Sequence, residues 1–330
     1  MDARSDAVTV NTSVAASSVR SNATCDEVGS TCQPCGTSRC TSASDPPGAL
    51  FVTVTAPERA STGGYALAAV AASGGKSFTR GYDAIEYPHT SRRHIFQDAV
   101  TLLKIVDVRL PSNLTVGYVM GVGDQVPDAL AQLGANVVML DADTLAFGDL
   151  SRFDAIVTGV RAYERRADLR TYNRRLIEYA EHGGTVVVQY NKFEFNRAQY
   201  GPYPAKVSSN RVTDENAPVH VLQADNPVFT TPNRIGPSAW ADWVQERGLY
   251  FLSEKDPRYV DLVELADPFP LNAGMKRGAL VETTVGKGRW LYIGLGLWRQ
   301  LPAGTDGAYQ LMANIIALGK SGASAPSAMR

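Results

Sequence analysis

Between Leu114 and Val188 the sequence alternates short apolar runs with stretches of helical periodicity, and this alternation constrains the fold more than any other feature. Four of the runs have the length of a β-strand: residues 114–120, 136–140, 153–158 and 185–188. Strands that alternate with helices through short loops form parallel sheets covered by helices on both faces. The sequence therefore predicts an α/β fold with a doubly wound, mostly parallel sheet.

The stretches between these runs carry helix signals. Asp124 is placed to cap a helix over residues 125–133, which ends at Gly134. Residues 165–182 form the strongest predicted helix, because one side carries an apolar stripe and the other faces carry arginines. Further strands and a closing helix are predicted at residues 259–265, 278–285, 289–295 and 306–319.

Two segments of different composition precede the α/β region. Residues 1–48 are rich in Ser, Thr, Ala and Asp and end in a Pro-Pro-Gly turn, which predicts a disordered leader. Residues 49–110 contain short strand-length runs separated by Gly and Pro, a pattern typical of a β-sandwich-like module and its linker. The α/β domain is then predicted over residues 111–319, with a flexible tail at 320–330.

Charge and hydropathy exclude several classes of partner. The net charge of −1 gives no global attraction to nucleic acid, so no nucleic-acid partner is expected. No apolar run reaches the roughly 20 residues of a membrane helix, and no hydrophobic region of a secretory signal is visible. The sequence therefore predicts no membrane span and no signal peptide.

Cysteine and histidine provide no convincing metal site or catalytic arrangement. The cysteines all lie in the leader, at Cys25, Cys32, Cys35 and Cys40. The Cys32–Cys35 spacing fits a zinc knuckle or a disulfide, but the flanking spacings match no zinc module and the neighbouring residues are polar. We expect incidental or oxidised thiols, no metal and no cofactor. The histidines occur in the predicted linker, at a helix end and in a strand, without a triad partner: His89, His94, His182 and His220.

Polar side chains follow the predicted strands at the edge where an α/β sheet binds its ligands. The largest group follows the fourth strand, with Gln189, Asn191, Glu194, Asn196 and Arg197. Other strand ends contribute Asp124, Arg161, Glu164, Trp298 and Arg299. Neither Cys nor Ser occurs between Thr185 and Tyr200, so we expect a ligand-binding site without a catalytic residue. Two interpretations stay open here: Trp298 either stacks on a sugar ring or seals the hairpin against the closing helix.

Seven segments together resemble the C-terminal half of large bacterial PIG-L/LmbE-type deacetylases: RGYDAIEYPH, VGYVMGVGDQVPDALAQLGANV, FDAIVTGVRAYE, GGTVVVQYNKFEFN, NRVTDENAPV, WVQERGLYF and GLWRQLPAGTDGAYQLMAN. The resemblance runs from about Leu50 to Leu318. In that family a zinc-dependent N-acetylglucosaminyl deacetylase domain is followed by β-sandwich material and a class I glutamine amidotransferase-like, flavodoxin-like domain. The resemblance implies these folds, a carbohydrate-related ligand and an extracytoplasmic location.

The sequence departs from this family at each reactive position. The zinc motif of the His-Pro-Asp-Asp kind is absent from the 330 residues. The amidotransferase-like family places its Cys after the strand that matches residues 185–188, where this chain has Gln189-Tyr190. Its His follows the last strand, where this chain has Trp298-Arg299. Glutaminase chemistry needs both the Cys and the His, because the Cys thiolate attacks the substrate while the His imidazole carries the proton.

The expected function is a non-catalytic accessory or ligand-binding domain, with a catalytic deacetylase domain in the same chain or in a partner. Two alternatives stay open. The first is hydrolysis, either the deacetylase activity of the full-length family or an unrecognised reaction at crevice carboxylates. The acidic pairs at Asp214/Glu215 and Asp242/Glu246 are further candidates, although the sequence cannot fix their separations. The second alternative is a purely structural module.

Overall fold

The computed structural model describes residues 61–320, together with the backbone of three short strands nearer the N-terminus. These are β1 (Thr12–Ala15), β2 (Ser38–Arg39) and β3 (Ala49–Val52). Both β1 and β2 pair with β3 in antiparallel fashion. The rest of the predicted leader, its four cysteines and the tail 321–330 lie outside the described residues, so those interpretations stay predictions. Contacts divide the chain into two compact units, with the boundary between Asp107 and Val108.

The N-terminal unit continues with six antiparallel strands. They are β4 (Gly63–Ala68), β5 (Ala71–Ser73), β6 (Lys76–Phe78), β7 (Arg80–Ile85), β8 (Arg93–Asp98) and β9 (Val100–Ile105). Strand β4 pairs with β9, β5 with β6, and β7 with β8, so the outer pair encloses two hairpins along the chain. The prediction that His94 lies in a linker is wrong: it lies in β8 opposite Ala84, and its ring meets Tyr82 edge-on at 4.6 Å.

The second unit is built on one large sheet and several small ones. Its strands are β10 (Thr115–Val119), β11 (Asn136–Met139), β12 (Ala155–Thr158), β13 (Thr185–Gln189), β14 (Ala205–Val207), β15 (Arg211–Val212), β16 (Val219–Val221), β17 (Gly248–Leu249), β18 (Leu252–Lys255), β19 (Val260–Asp261), β20 (Val263–Leu265), β21 (Lys276–Arg277), β22 (Leu280–Val285) and β23 (Gly288–Ile293). The seven-stranded sheet has the order β11-β10-β12-β13-β23-β22-β19. Its first five strands are parallel, and β22 and β19 are antiparallel to their neighbours. This mixed sheet confirms the predicted α/β class.

Between residues 108 and 320, seven helices accompany the strands of this unit. They are α1 (Val126–Gln132), α2 (Ala142–Phe147), α3 (Ala162–Arg165), α4 (Ala167–Glu181), α5 (Pro227–Thr230), α6 (Leu297–Gln300) and α7 (Asp306–Ala317). Short 3-10 helices occur at Leu150–Arg152, Phe193–Arg197, Pro237–Trp240 and Pro270–Asn272. Within the described residues, no helix is both long and apolar enough to cross a membrane.

Helices cover both faces of the large sheet. On one face, Leu169 and Leu176 of α4 pack in a buried cluster with Val186 and Val188 of β13. Helix α7 also contacts β13 but contributes nothing to that cluster, so it lies on the other face. The Tyr309 hydroxyl of α7 donates to the Gln132 side chain at 2.8 Å, which places α1 beside α7. Burial on both faces explains why β12 and β13 are buried at every residue and carry continuous apolar runs rather than an alternating pattern.

The return from α4 to β13 depends on a glycine. His182 is the C-cap of α4, and Gly183 follows with φ +117°, a conformation that favours glycine. A Cβ on the next residue, Gly184, would lie 2.2 Å from the Tyr179 ring. The Gly-Gly pair therefore allows the helix to end directly against the strand that leads to the candidate site.

Asn314 of α7 connects the closing helix to the start of the unit. It is fully buried, and its Nδ2 donates to Val228 O at 3.0 Å and to Asn233 O at 2.7 Å. Its Oδ1 accepts from the backbone and side chain of Asn233 at 2.8 and 2.9 Å. Asn233 in turn pairs with both backbone groups of Arg109. Two asparagines thus satisfy loop backbone that would otherwise be buried without partners.

Replacement of Asn314 by Leu should lower the free energy of unfolding by about 3 kcal/mol, because it leaves several buried groups without partners. Urea unfolding of the purified chain measures this change. The matched control is Asn136→Leu, since Asn136 is an exposed asparagine on β11 and its replacement should change stability by less than about 0.5 kcal/mol. Equal losses in the two variants would contradict the role assigned to Asn314.

Candidate functional site

The carboxyl ends of the parallel strands are tied together by the Asp124 carboxylate. Its Oδ1 accepts from the Tyr118 hydroxyl at 2.6 Å and from Val126 N at 3.1 Å, while Oδ2 accepts from Val160 N at 3.1 Å. The Tyr118 hydroxyl also accepts from Gln189 Nε2 at 2.9 Å. Burial, followed by the charge of Asp124, raises the pKa of Tyr118 well above its ordinary value. Strands β10, β12 and β13 are therefore joined by one hydrogen-bond network.

The prediction that Asp124 is the N-cap of the first helix is wrong by one residue. The N-cap of α1 is Gln125, whose side chain makes no capping hydrogen bond. The Asp124 carboxylate still accepts from Val126 N at the start of the helix. It also accepts from Val160 N and from the Tyr118 hydroxyl. The carboxylate consequently organises the edge of the sheet.

Arg161 and Glu164 form a paired group after β12. Nε and Nη2 of Arg161 donate to the two carboxylate oxygens of Glu164 at 2.6 and 2.5 Å. Arg161 has a left-handed backbone (φ 55°), and its N donates to Tyr190 O at 2.9 Å. The hydrogen bond from Arg161 lowers the pKa of the Glu164 carboxyl below its ordinary value. The two side chains are 26% and 20% exposed, so the pair remains accessible at the edge.

Two of the predicted amide side chains form hydrogen bonds with backbone groups of the protein. Asn191 is buried; its Oδ1 accepts from Tyr163 N at 3.1 Å and its Nδ2 donates to Gln189 O at 2.9 Å. Asn196 pairs with both backbone groups of Val207, through hydrogen bonds of 2.8 and 2.9 Å. These contacts fix the segment after β13 and occupy the amide groups of Asn191 and Asn196, which were expected to bind a ligand.

Four rings form an aromatic cluster beside these polar groups: Tyr190, Phe193, Tyr250 and Trp298. The Tyr190 ring lies 5.8 Å from Tyr250 at an angle of 16°, and 5.6 Å from Trp298 at 33°. Phe193 meets Tyr250 edge-on at 5.6 Å and is 53% exposed. Tyr190 is buried, whereas Tyr250 and Trp298 are half-buried. The cluster therefore presents an apolar, partly accessible surface at the strand ends.

A second ion pair lies on the far side of this cluster. The Arg299 guanidinium carbon is 4.0 Å from the centre of the Trp298 ring, and Nε donates to Glu246 Oε1 at 2.8 Å. Arg299 Nη1 also donates to the Gln245 side chain. Trp298 and Arg299, predicted from sequence, are thus joined by Gln245 and Glu246, which come from a loop about fifty residues earlier.

Several buried polar atoms at this edge have no protein hydrogen-bond partner among residues 61–320. They are Thr158 Oγ1, Gln189 Oε1, Glu194 Oε2 and Trp298 Nε1. Each belongs to the end of a parallel strand or to the segment that follows it. Buried polar atoms are almost always hydrogen-bonded, so these four require an explanation, as does Trp290 Nε1 in the middle of β23. Of the remaining predicted residues, Arg197 is exposed.

Two open pockets lie elsewhere on this unit. One, of about 450 Å³, includes Asp154, His182 and Gly184, which precede β12 and β13, so it lies at the amino ends of the strands. The other, of about 470 Å³, lies beside Trp240 and Arg247. No group of three or more His, Cys, Asp or Glu in the described part of the chain is arranged to hold a metal ion.

Comparison with known proteins yields only distant structural likenesses. No family model and no curated protein matches the chain. The cold-adapted β-galactosidase from Rahnella sp. R3 is 17% identical over 62% of this chain and 31% of that chain, with a TM-score of 0.37. The β-galactosidase from Bacillus circulans sp. alkalophilus is 14% identical over 64% and 31%, with a TM-score of 0.37. The GH42 β-galactosidase Gan42B is 16% identical over 59% and 30%, with a TM-score of 0.32.

This chain therefore spans under a third of the length of those proteins. At such identities and TM-scores the likeness supports no conclusion about function.

Because of the Arg161–Glu164 pair, the free energy of unfolding should fall at acidic pH. Because the folded-state pKa of Glu164 is lowered, the contribution of the pair is present above about pH 4.5 and is lost as pH falls through that lowered pKa. Arg161→Met should raise the pKa of Glu164 and flatten the acid side of the stability profile. Urea unfolding measured from about pH 3 to pH 7 tests this expectation.

The matched control is Arg174→Met, because the side chains of the Arg174–Glu178 pair are 68% and 47% exposed and such pairs contribute little. Acid-side slopes that are the same in both variants would refute the prediction.

Proposed function

We propose that residues 108–320 form a non-catalytic, carbohydrate-binding domain of the class I glutamine amidotransferase-like type, with its ligand at the carboxyl ends of the parallel strands. The N-terminal strands then belong to the β-sandwich-like module that precedes this domain in PIG-L/LmbE-type proteins. The domain acts as an accessory to a deacetylase domain in the same protein or in a partner.

The order of the strands supports this fold type. Numbered along the chain, the five parallel strands of the large sheet occur in the spatial order second, first, third, fourth, fifth. That order is the flavodoxin-like arrangement, in which the ligand lies outside the carboxyl ends of the strands, near the place where the strand order reverses. Asp124 and Arg161 follow the two strands, β10 and β12, that flank this place.

The positions matched to the reactive pair also support a binding role. Tyr190 directly follows β13 and Trp298 follows β23, and their rings lie 5.6 Å apart. The two positions are thus neighbours in space, as a nucleophile and its base must be. Phenol and indole side chains in these places supply aromatic surface and no thiol chemistry, which favours binding over glutaminase activity.

The single observation that carries the proposal is the partly exposed aromatic cluster flanked by the Arg161–Glu164 and Arg299–Glu246 pairs. The Arg161 and Arg299 side chains donate, whereas the Glu164 and Glu246 carboxylates accept, and all four are partly accessible. Hydroxyl groups both donate and accept, so a polyol matches this mixture better than an anion or a cation does. The apolar face of a sugar ring fits against Tyr250 and Trp298, while the Arg161–Glu164 and Arg299–Glu246 pairs provide polar groups around it.

Glycan-array screening followed by calorimetry tests the proposal. We expect binding of at least one neutral or N-acetylated sugar by the wild type, and a loss of about tenfold or more in Trp298→Leu, which removes the aromatic face. Arg161→Ala and Glu194→Gln should each weaken binding of the same sugar. The matched aromatic control is Phe147→Leu: Phe147 is 82% exposed on α2, so its replacement should leave binding unchanged.

The absence of sugar binding in the wild type, or an equal loss in Trp298→Leu and Phe147→Leu, would count against the proposal and in favour of a structural module. Glutamine hydrolysis, or deacetylation of an N-acetyl sugar with stoichiometric zinc, would contradict the non-catalytic role.

A further inference from the structure

The pocket beside Trp240 is separate from the residues assigned to the candidate site, since none of the ten predicted residues lines it. Its walls are mainly apolar, and we call it the Arg247 pocket; it is lined by Pro218, Val221, Ile235, Pro237, Trp240 and Arg247, among others. The volume of about 470 Å³ lies within the roughly 300–1,000 Å³ range of small-molecule sites. Apolar walls around one charged donor are the usual composition of such a site.

Two backbone carbonyls hold the Arg247 side chain in place. Nε donates to Ala217 O at 2.8 Å, and Nη1 donates to Trp240 O at 2.7 Å. The guanidinium carbon lies 5.1 Å from the centre of the Trp243 ring. Because the planar guanidinium is fixed at both nitrogens, the direction of the third nitrogen, Nη2, is fixed as well.

Nη2 is the nitrogen available to a ligand. Arg247 is only 3% exposed, and within the described ranges its Nη2 has no hydrogen-bond acceptor. Nη2 is not one of the fully enclosed atoms that lack a partner, so part of its surface is accessible. Since Arg247 lines the pocket, its small accessible part faces the pocket. A hydrogen-bond donor is therefore positioned in the pocket before any ligand enters.

The charge of Arg247 lacks a direct counter-ion in the described part of the chain. Its two side-chain hydrogen bonds go to neutral carbonyls, and Asp214 and Glu215 act on it only from beyond contact distance. Burial lowers the pKa of Arg247 to about 10. The charges of Asp214 and Glu215 raise this pKa, but their effect is smaller than that of burial. A buried cation held only by neutral groups is stabilised strongly by an anion that reaches it.

We propose that the Arg247 pocket binds a small organic carboxylate, whose oxygen accepts from Nη2 while its apolar body packs against Pro218, Ile235 and Trp240. The apolar walls favour an aryl or alkyl group over a bare inorganic anion. The proposal is independent of carbohydrate binding at the strand ends, because the two sites share no side chain.

Calorimetry with the matched pair phenylacetate and phenylacetamide tests this proposal on the whole chain. The two probes have nearly the same shape, so a difference between them reports the charge. We expect phenylacetate to bind at least about tenfold more tightly than phenylacetamide near pH 7, because its hydrogen bond to the guanidinium is charge-assisted. Inorganic phosphate should bind more weakly than phenylacetate.

Ile235→Trp should abolish phenylacetate binding by filling the pocket while leaving Arg247 in place. Arg247→Gln should remove the preference for the acid over the amide, with folding checked by circular dichroism. Leu271→Ser is the control, since Leu271 is fully exposed and does not line the pocket. Equal affinity for the two probes, no binding of either, or unchanged binding in Ile235→Trp would overturn the proposal.

Discussion

The geometry of the strand ends depends on one carboxylate, that of Asp124. It accepts from a strand side chain, from the start of α1 and from the loop after β12, while Tyr118 extends the same network to Gln189 of β13. Loops at the end of a sheet have few long-range contacts of their own, so a shared acceptor fixes their relative positions. The Arg161–Glu164 pair and the aromatic cluster are arranged around this network. A polar interaction within the protein thus holds the candidate site in shape before any ligand arrives.

The α/β class could be predicted from sequence because its signals are local. The strands β10, β12 and β13 contain continuous apolar runs, and α4 shows a clear apolar stripe, so each can be recognised without knowledge of its neighbours. The pairing of the small sheets between Ala205 and Arg277 could not be predicted in this way, although a strand at 259–265 and one around His220 were expected. Their strands have two to four residues and pair over long sequence separations, so tertiary contacts determine them. Strand β8 escapes prediction for a related reason: its exposed, charged sequence has no apolar alternation, and pairing with β7 defines it.

At the candidate site, residue type alone does not show whether a side chain binds a ligand or stabilises the protein. Asn191 and Asn196 look like ligand-binding amides in the sequence, yet both satisfy backbone groups, because an amide suits either task equally well. Tyr190 follows a predicted strand and could have been proposed from that position. Tyr250 carries no such signal, and Glu246, a candidate carboxylate in the sequence, instead pairs with Arg299. Thr158 becomes noticeable only when its unsatisfied hydroxyl is seen.

The segment 242–250, which supplies Glu246 and Arg247, contains three non-glycine residues with left-handed backbone, Asp242, Gln245 and Tyr250. Such conformations cost free energy and persist only where surrounding contacts enforce them. Glu246 pairs with Arg299 at the candidate site and the next residue lines the Arg247 pocket, so a single stretch of main chain belongs to both of the proposed binding sites. Its shape belongs to the whole unit, and grafting this stretch into another scaffold would not carry either specificity with it.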